Sequence, residues 1–187
     1  LVNYKAIALG LKALGVKGCI ASAAVGSLRR DWIPGTFVVC SDLLDLTARR
    51  QTLFDRKVVH TPLAKPMSLL TALLEASKEE GVVVQEEGVY LCADGPRYET
   101  PAEIQMMRSL GGDVVGMTAS TEAILLAEAG IPYGCLAVVT NLGQGLSPVA
   151  PYHEEVAEMM EGEKGECAVR IMLRAAKAVA QREQAIG

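Results

Sequence analysis

The sequence holds two histidines, no C-x-x-C pair and no long run of Lys or Arg, and each gap removes a class of function. Zinc sites draw on three or four His, Cys or carboxylate ligands. His153-Glu154-Glu155 opens like a metal helix, yet no second His follows four residues on. Eighteen basic against 22 acidic residues leave a net charge of −4, which speaks against nucleic acid or an anionic membrane as main partner. Arg29-Arg30 and Arg49-Arg50 read as solvated loop pairs. No apolar stretch reaches the ~18 residues a membrane span needs. The five cysteines are odd in number, and the first four (Cys19, Cys40, Cys92, Cys135) lie in apolar runs, where a thiol behaves as a small hydrophobe. A reducing, cytoplasmic setting without disulfides is expected. GxxxxGK[ST] and G-x-S-x-G are absent, and Gly143-Gln144-Gly145 lacks the third glycine of a dinucleotide fingerprint. No metal, flavin or nicotinamide cofactor is expected. No signal peptide is visible, and the chain opens at Leu1 in a helix-like pattern without Met, as a truncation or processing product would.

Half of the 187 residues are apolar and 21% are charged, enough to bury one sizeable core. Residues 3–15 read as a helix closed by Gly15, 16–22 as a buried strand, and 23–35 as a turn and short excursion. A second strand over 36–42 precedes an irregular polar segment to about residue 65. Pro66 opens an expected helix to Glu80, and 82–85 and 88–94 read as two strands. Thr100-Pro101-Ala102-Glu103 reads as a capping box, with Pro in the first turn and Glu three residues after the cap. That helix ends at Gly111-Gly112, and 113–117 is a short strand. Thr118 to Ala129 reads as a helix stopped by Gly130 and Pro132, and 133–141 as the last strand. A loop with Gly143, Gly145 and Pro148 follows, then a helical tail from His153 to about Gln184, with a break near Gly162 to Gly165.

Alternating strands and helices imply an α/β architecture with a mostly parallel sheet covered on both faces. Ligands bind such sheets at the carboxyl ends of the strands. Four polar clusters (22–28, 94–100, 117–121 and 140–147) are therefore expected to converge on one pocket. Within them, ADGPRYETPAE (93–103) sets a glutamate beside an aromatic at the mouth of a strand-to-helix turn. It is either a polar loop or a carboxylate offered to a planar ligand stacked on Tyr98.

Four segments together resemble the purine nucleoside phosphorylase and methylthioadenosine phosphorylase family, in its trimeric branch: ASAAVGSL (21–28), ADGPRYETPAEIQMM (93–107), GGDVVGMTASTEAILLAEAGIPY (111–133) and VVTNLGQG (138–145). VNYKAIALGLKALGV at the start is similar to the helix that precedes the first of these, so the resemblance runs from residue 2 to about residue 175. It implies a three-layer α/β fold with a mostly parallel mixed sheet flanked by helices, in one domain over 1–187. It implies a homo-oligomer, a trimer or dimer of trimers, that needs no cofactor and takes phosphate as co-substrate. The reaction implied is phosphorolysis, in which phosphate attacks the anomeric carbon of a nucleoside and releases a purine base and ribose 1-phosphate. The sugar becomes oxocarbenium-like while negative charge moves to the base, so the protein must hold an anion and stabilise the leaving purine.

The same resemblance assigns roles to residues. Thr118, at a strand-to-helix junction, falls at the family's phosphate-binding Ser or Thr; a plain helix N-cap is its other reading. Ala23 and Ala24 match the small-residue turn whose N–H groups approach phosphate, although methylthioadenosine phosphorylases often carry Thr where Ala23 stands. Met117 is expected to line the sugar, with a core methionine as its alternative. Glu99 falls where 6-oxopurine enzymes accept the purine N1–H, and Tyr98 where an aromatic packs on the base. Asn141 falls at the Asn/Asp position that meets N7 or O6 of the leaving base. Glu99 with Asn141 is the oxopurine pair; methylthioadenosine phosphorylases typically carry Ser and Asp there, and Gly143 stands where adenine-type enzymes have a second Asp. His153 resembles a histidine near the 5′-hydroxyl, and His60 one lent across a subunit interface to the 5′ pocket; a surface histidine is the other reading of each.

The family's N-terminal phosphate loop and later Arg-His pair have no counterpart before VNY. Arg29, Arg49 and Arg97 do not sit at those positions. An N-terminally truncated domain is thus expected, with strands missing from its sheet. The expected function is phosphorolysis of inosine or guanosine in purine salvage. Methylthioinosine or methylthioadenosine phosphorolysis is the alternative, and a non-catalytic purine-binding protein or inactive fragment the reading from another class.

Overall fold

A computed structural model of the chain describes residues 2–48, 51–147 and 153–186, without the side chains of 153–155 and 183–186. The described elements run α1 (Tyr4–Ala13), β1 (Cys19–Ser27), β2 (Phe37–Asp45), α2 (Leu70–Glu79), β3 (Val84–Cys92), α3 (Pro101–Ser109), β4 (Val114–Gly116), α4 (Ala119–Ala129), β5 (Tyr133–Leu142), α5 (His153–Glu161) and α6 (Glu163–Ile186). Local signals account for several ends. Asn3 accepts from the Ala6 N–H and caps α1. Gly130 closes α4 in the left-handed conformation, which glycine adopts without a Cβ penalty. The tail breaks at Gly162, inside the expected interval.

Pairing of β1 with β5, β2 with β3 and β3 with β4 is parallel, whereas β1–β4 and β2–β5 are antiparallel. The mixed sheet flanked by helices is the expected one. Its strands follow the order β1-β4-β3-β2-β5 and close on themselves as a barrel, which the alternation of elements does not specify. Register shifts at Val25/Gly26 in β1 and on either side of Cys40 in β2 bend the strands as bulges do. Closure is uneven: β1 follows β5 over its whole length but meets β4 only at Gly26 and Ser27.

Three boundaries differ from the sequence reading. Ala23 and Ala24 are not in a turn; they continue β1, opposite Ala137 and Val138 of β5, because parallel pairing carries the small residues through. The two expected strands are one, Val84–Cys92: Glu87, at φ 61°, absorbs the polar interruption as an irregularity opposite β2. The helix expected from Pro66 starts at Leu70, since Met67 is buried and the Leu69 N–H bonds the Tyr133 carbonyl at 3.0 Å. Arg49, Arg50 and Pro148 lie outside the described residues.

Strand periodicity sends alternate side chains to opposite faces, and β5 is buried on both. Tyr133, Cys135, Ala137 and Val139 join the core that also holds Val25, Tyr90 and the buried side of α4. Leu136 and Val138 join the core under α2 and α6. A third cluster, Leu28, Leu91, Ile104, Met107 and Val115, seats α3. All five cysteines are free thiols. Among the described residues no helix is long and apolar enough to cross a membrane.

Candidate functional site

All four polar clusters meet at one cleft of about 360 Å³. Its walls come from the β1 backbone at 22–26, Tyr98 and Glu99 after β3, the 115–118 junction between β4 and α4, and the end of β5 from Thr140 onward. Ala23, Ala24, Tyr98, Glu99, Met117, Thr118 and Asn141 are therefore brought together within this single chain.

On one side stands the turn between β3 and α3. The capping box is present as read: Thr100 Oγ1 accepts from the Glu103 N–H at 3.2 Å, and Glu103 Oε2 accepts from the Thr100 N–H at 2.7 Å. Arg97 adds a forked pair to the same carboxylate at 2.8 and 2.7 Å and holds Glu103 down to about 2. These bonds commit Arg97 to the turn and fix the backbone on both sides of Glu99. The Glu99 carboxylate itself is different. Glu99 is only 8% exposed, burial pushes its carboxyl above the usual range, and its own backbone N–H only partly offsets that. No other side chain donates to it among the described residues. A carboxylate with only its own backbone N–H as donor is costly to bury, and Glu99 lines the cleft. Tyr98 beside it is 37% exposed, leaving ring surface for a planar ligand.

Asn141 lines the same cleft. Its Nδ2 donates to the Leu142 carbonyl at 3.0 Å, and Thr140 Oγ1 lies 3.1 Å from its Oδ1. The second amide N–H is unclaimed among the described residues. Gly26 keeps room for this side chain: a Cβ there would stand 3.2 Å from Nδ2.

Thr118 occupies the N-cap position of α4, yet its hydroxyl makes no capping bond. Helix capping is thus not what it does; its side chain lies beside the Tyr90 phenol and lines the cleft. Met117 is half-buried and lines the cleft rather than the core. Ala23 is buried and Ala24 exposed, with β1 backbone rather than a turn presented to the cavity.

One predicted contact is not brought in, and the side chain of another lies outside the described residues. His60 is exposed, in the irregular segment between β2 and α2, and does not line the cleft. His153 opens α5, but its side chain lies outside the described residues. Arg29 is engaged by Asp31 and Asp113 and by the Trp32 ring. Sequence reasoning missed Val156 of α5, which lines the cleft, and named Gln144 only as part of the 140–147 cluster. The break at Gly162, which separates α5 from α6, was the available signal that α5 could turn toward the site. Among the described residues no group of His, Cys, Asp and Glu is arranged to hold a metal ion.

A family model described as the phosphorylase superfamily matches residues 2–176. The chain belongs to this superfamily. Similar phosphorylases include a probable 6-oxopurine nucleoside phosphorylase of Moorella thermoacetica, 45% identical over 166 residues. A 6-oxopurine nucleoside phosphorylase of Pyrococcus furiosus is 40% identical over 185 residues. A probable S-methyl-5′-thioinosine phosphorylase of Methanothermobacter thermautotrophicus is 44% identical over 169. The matches take in 86%, 93% and 89% of this chain but 64%, 69% and 59% of the respective relatives. Among solved structures, the methylthioadenosine phosphorylase of Schistosoma mansoni in complex with adenine superposes with a TM-score of 0.90 at 29% identity. That superposition covers 96% of this chain and 71% of the other.

Proposed function

We propose that this chain carries the purine-recognising and catalytic part of a 6-oxopurine nucleoside phosphorylase, converting inosine- or guanosine-type nucleosides and phosphate to free base and ribose 1-phosphate. The observation that carries it is the largely buried Glu99 carboxylate, to which no side chain donates among the described residues, lining the same cleft as Asn141, whose second amide N–H is unclaimed there. A lactam N1–H supplies Glu99 with a donor beyond its own backbone N–H, while the Asn141 amide donates to N7 or O6 as negative charge reaches the departing base. Adenine offers a lone pair at N1, which the carboxylate repels. Hydrogen bonds of this kind gain strength as charge develops and so favour the transition state over the bound substrate. Phosphate is the co-substrate, met by the Thr118 hydroxyl and the β1 backbone around Ala23 and Ala24, and no further cofactor enters. Relatives carrying both 6-oxopurine and methylthioinosine names support an oxopurine base and leave the 5′ substituent to residues such as His60 and His153. The working form is a cytoplasmic homo-oligomer, a trimer or dimer of trimers, in which exposed His60 reaches a neighbour's 5′ pocket.

The test incubates the chain with inosine, guanosine, adenosine and methylthioadenosine, with and without phosphate, and follows base release. Phosphate-dependent release of hypoxanthine or guanine is expected. Phosphate-dependent release from adenosine alone would overturn the specificity; nucleoside binding by calorimetry with no turnover would leave a purine-binding protein instead.

A further inference from the structure

Beneath the phosphate side of the cleft sits a residue that does not line it. Tyr90 of β3 is fully buried, and its hydroxyl oxygen lies 3.4 Å from the backbone N–H groups of both Thr118 and Ala119. These belong to the N-cap and first turn of α4, where backbone donors lack partners within the helix. The phenol oxygen fits because residue 116 is glycine; a Cβ there would overlap it. Burial pushes the phenol far above its usual range, so the oxygen stays a neutral acceptor at every working pH. Thr118, relieved of its capping bond, is held by its backbone instead.

We infer that Tyr90 is a positioning residue: its hydroxyl, seated in the space left by Gly116, fixes the Thr118 backbone so that the Thr118 hydroxyl faces the anion. The inference rests on reading Thr118 as a phosphate ligand and deepens that reading. It also ties the two halves of the site together, because β3 carries Tyr90 under α4 and then leads directly into the turn that presents Glu99. The Thr118 and Ala119 N–H groups are taken up by Tyr90, so the anion is met by the Thr118 hydroxyl and β1 rather than by those two donors.

Tyr90→Phe removes one oxygen and leaves the ring. The expected result is a rise of about tenfold in KM for phosphate with KM for inosine changed less than about twofold, a split that general loosening does not produce. Thr118→Val is expected to raise the phosphate KM on its own, and adding Tyr90→Phe to it to cost little more, since groups acting through one another are non-additive. Equal changes in both KM values, or full additivity, would overturn the inference. Amide exchange of Thr118 and Ala119 gives a readout that needs no activity. Selective acceleration at these two amides in Tyr90→Phe supports the contact, and unchanged exchange overturns it. Absence of phosphate-dependent release from the unsubstituted chain defeats the phosphorylase reading and with it the phosphate role, while the exchange result still decides whether Tyr90 holds Thr118. If Tyr90→Phe does not fold, Gly116→Ala presses on the same oxygen from the other side and is expected to give the same phosphate-selective defect.

Discussion

The backbone of Gly95 passes so close to Met117 that a Cβ at residue 95 would overlap the thioether sulfur. One contact thereby joins the turn that presents Glu99 to the junction that presents Thr118. Gly95→Ala is expected to push Met117 toward the sugar side of the cleft. Because a thioether can rotate aside, the stability loss should stay below about 1 kcal/mol, small for an overpacking change. The nucleoside KM is expected to rise about fivefold, an effect on binding rather than on the chemical step. Steady-state kinetics beside a thermal melt separates the two; an unchanged KM argues against Met117 as a sugar contact.

Base choice is expected to follow Glu99 and Asn141. The double variant Glu99→Ser with Asn141→Asp removes the N1–H acceptor and offers an acceptor to a 6-amino group. The ratio of kcat/KM for inosine to that for adenosine should fall by at least about thirtyfold, given roughly 1–3 kcal/mol for each of the two buried polar mismatches. A ratio that does not move would sink the assignment of these two residues to the base.

Glu99 also makes specificity depend on pH. Burial raises its carboxyl above the ordinary value, so on acidification it takes up a proton before an exposed glutamate does. As an acid it can donate to N1 of adenine, and it accepts from the lactam N1–H only through a neutral carbonyl, a weaker bond than the carboxylate makes. The inosine-to-adenosine ratio is therefore expected to drop as pH falls from neutral toward the carboxylate range, earlier than an exposed glutamate would cause. Glu99→Gln should flatten that profile. Stability carries the same sign: a raised carboxyl favours the folded state at low pH and loses that contribution as pH rises through its folded value. Glu99→Gln should then melt higher than the parent at neutral pH, with the gain vanishing in acid.

Away from the cleft, Tyr133 donates its hydroxyl to Glu122 at 2.6 Å. Burial raises the Glu122 carboxyl, and this bond partly opposes the rise. Tyr133→Phe strips a buried carboxylate of its donor and should cost about 1–3 kcal/mol at neutral pH. Without the donor the Glu122 carboxyl rises further, so the deficit is greatest above its folded value and shrinks as acid neutralises it. Chemical denaturation at about pH 7.5 and about pH 4 reads this directly; equal losses at both would mean that the hydroxyl acts through packing alone.

How far the site was legible depended on the range of the interactions that build it. The Thr100–Glu103 box is a contact between residues three apart, and the sequence states it in full. Glu99, Thr118 and Asn141 stand next to strand ends that periodicity located within a few residues. Ala23 and Ala24 were assigned to a turn because small residues weaken a strand read in isolation. Pairing with Ala137 and Val138, more than a hundred residues on, outweighs that preference. Glu86-Glu87-Gly88 looks like a break between two strands for the same reason, until a bulge opposite β2 accommodates it. Tyr90 left no local sign of its role, since one apolar-run tyrosine among several reads as core.

Hydrophobic period, caps and glycine stops act within a helical turn or a strand, so the sequence by itself determined the order of elements, the ends of α3 and α4, and the chemistry offered at each strand mouth. Contacts between distant segments are set by packing and closure, which have no local signature. Only the tertiary structure therefore decided that the sheet curls shut, that Glu99 is buried with no side-chain donor in the cleft that Asn141 also lines, and that the Tyr90 hydroxyl fills the space Gly116 leaves beneath Thr118.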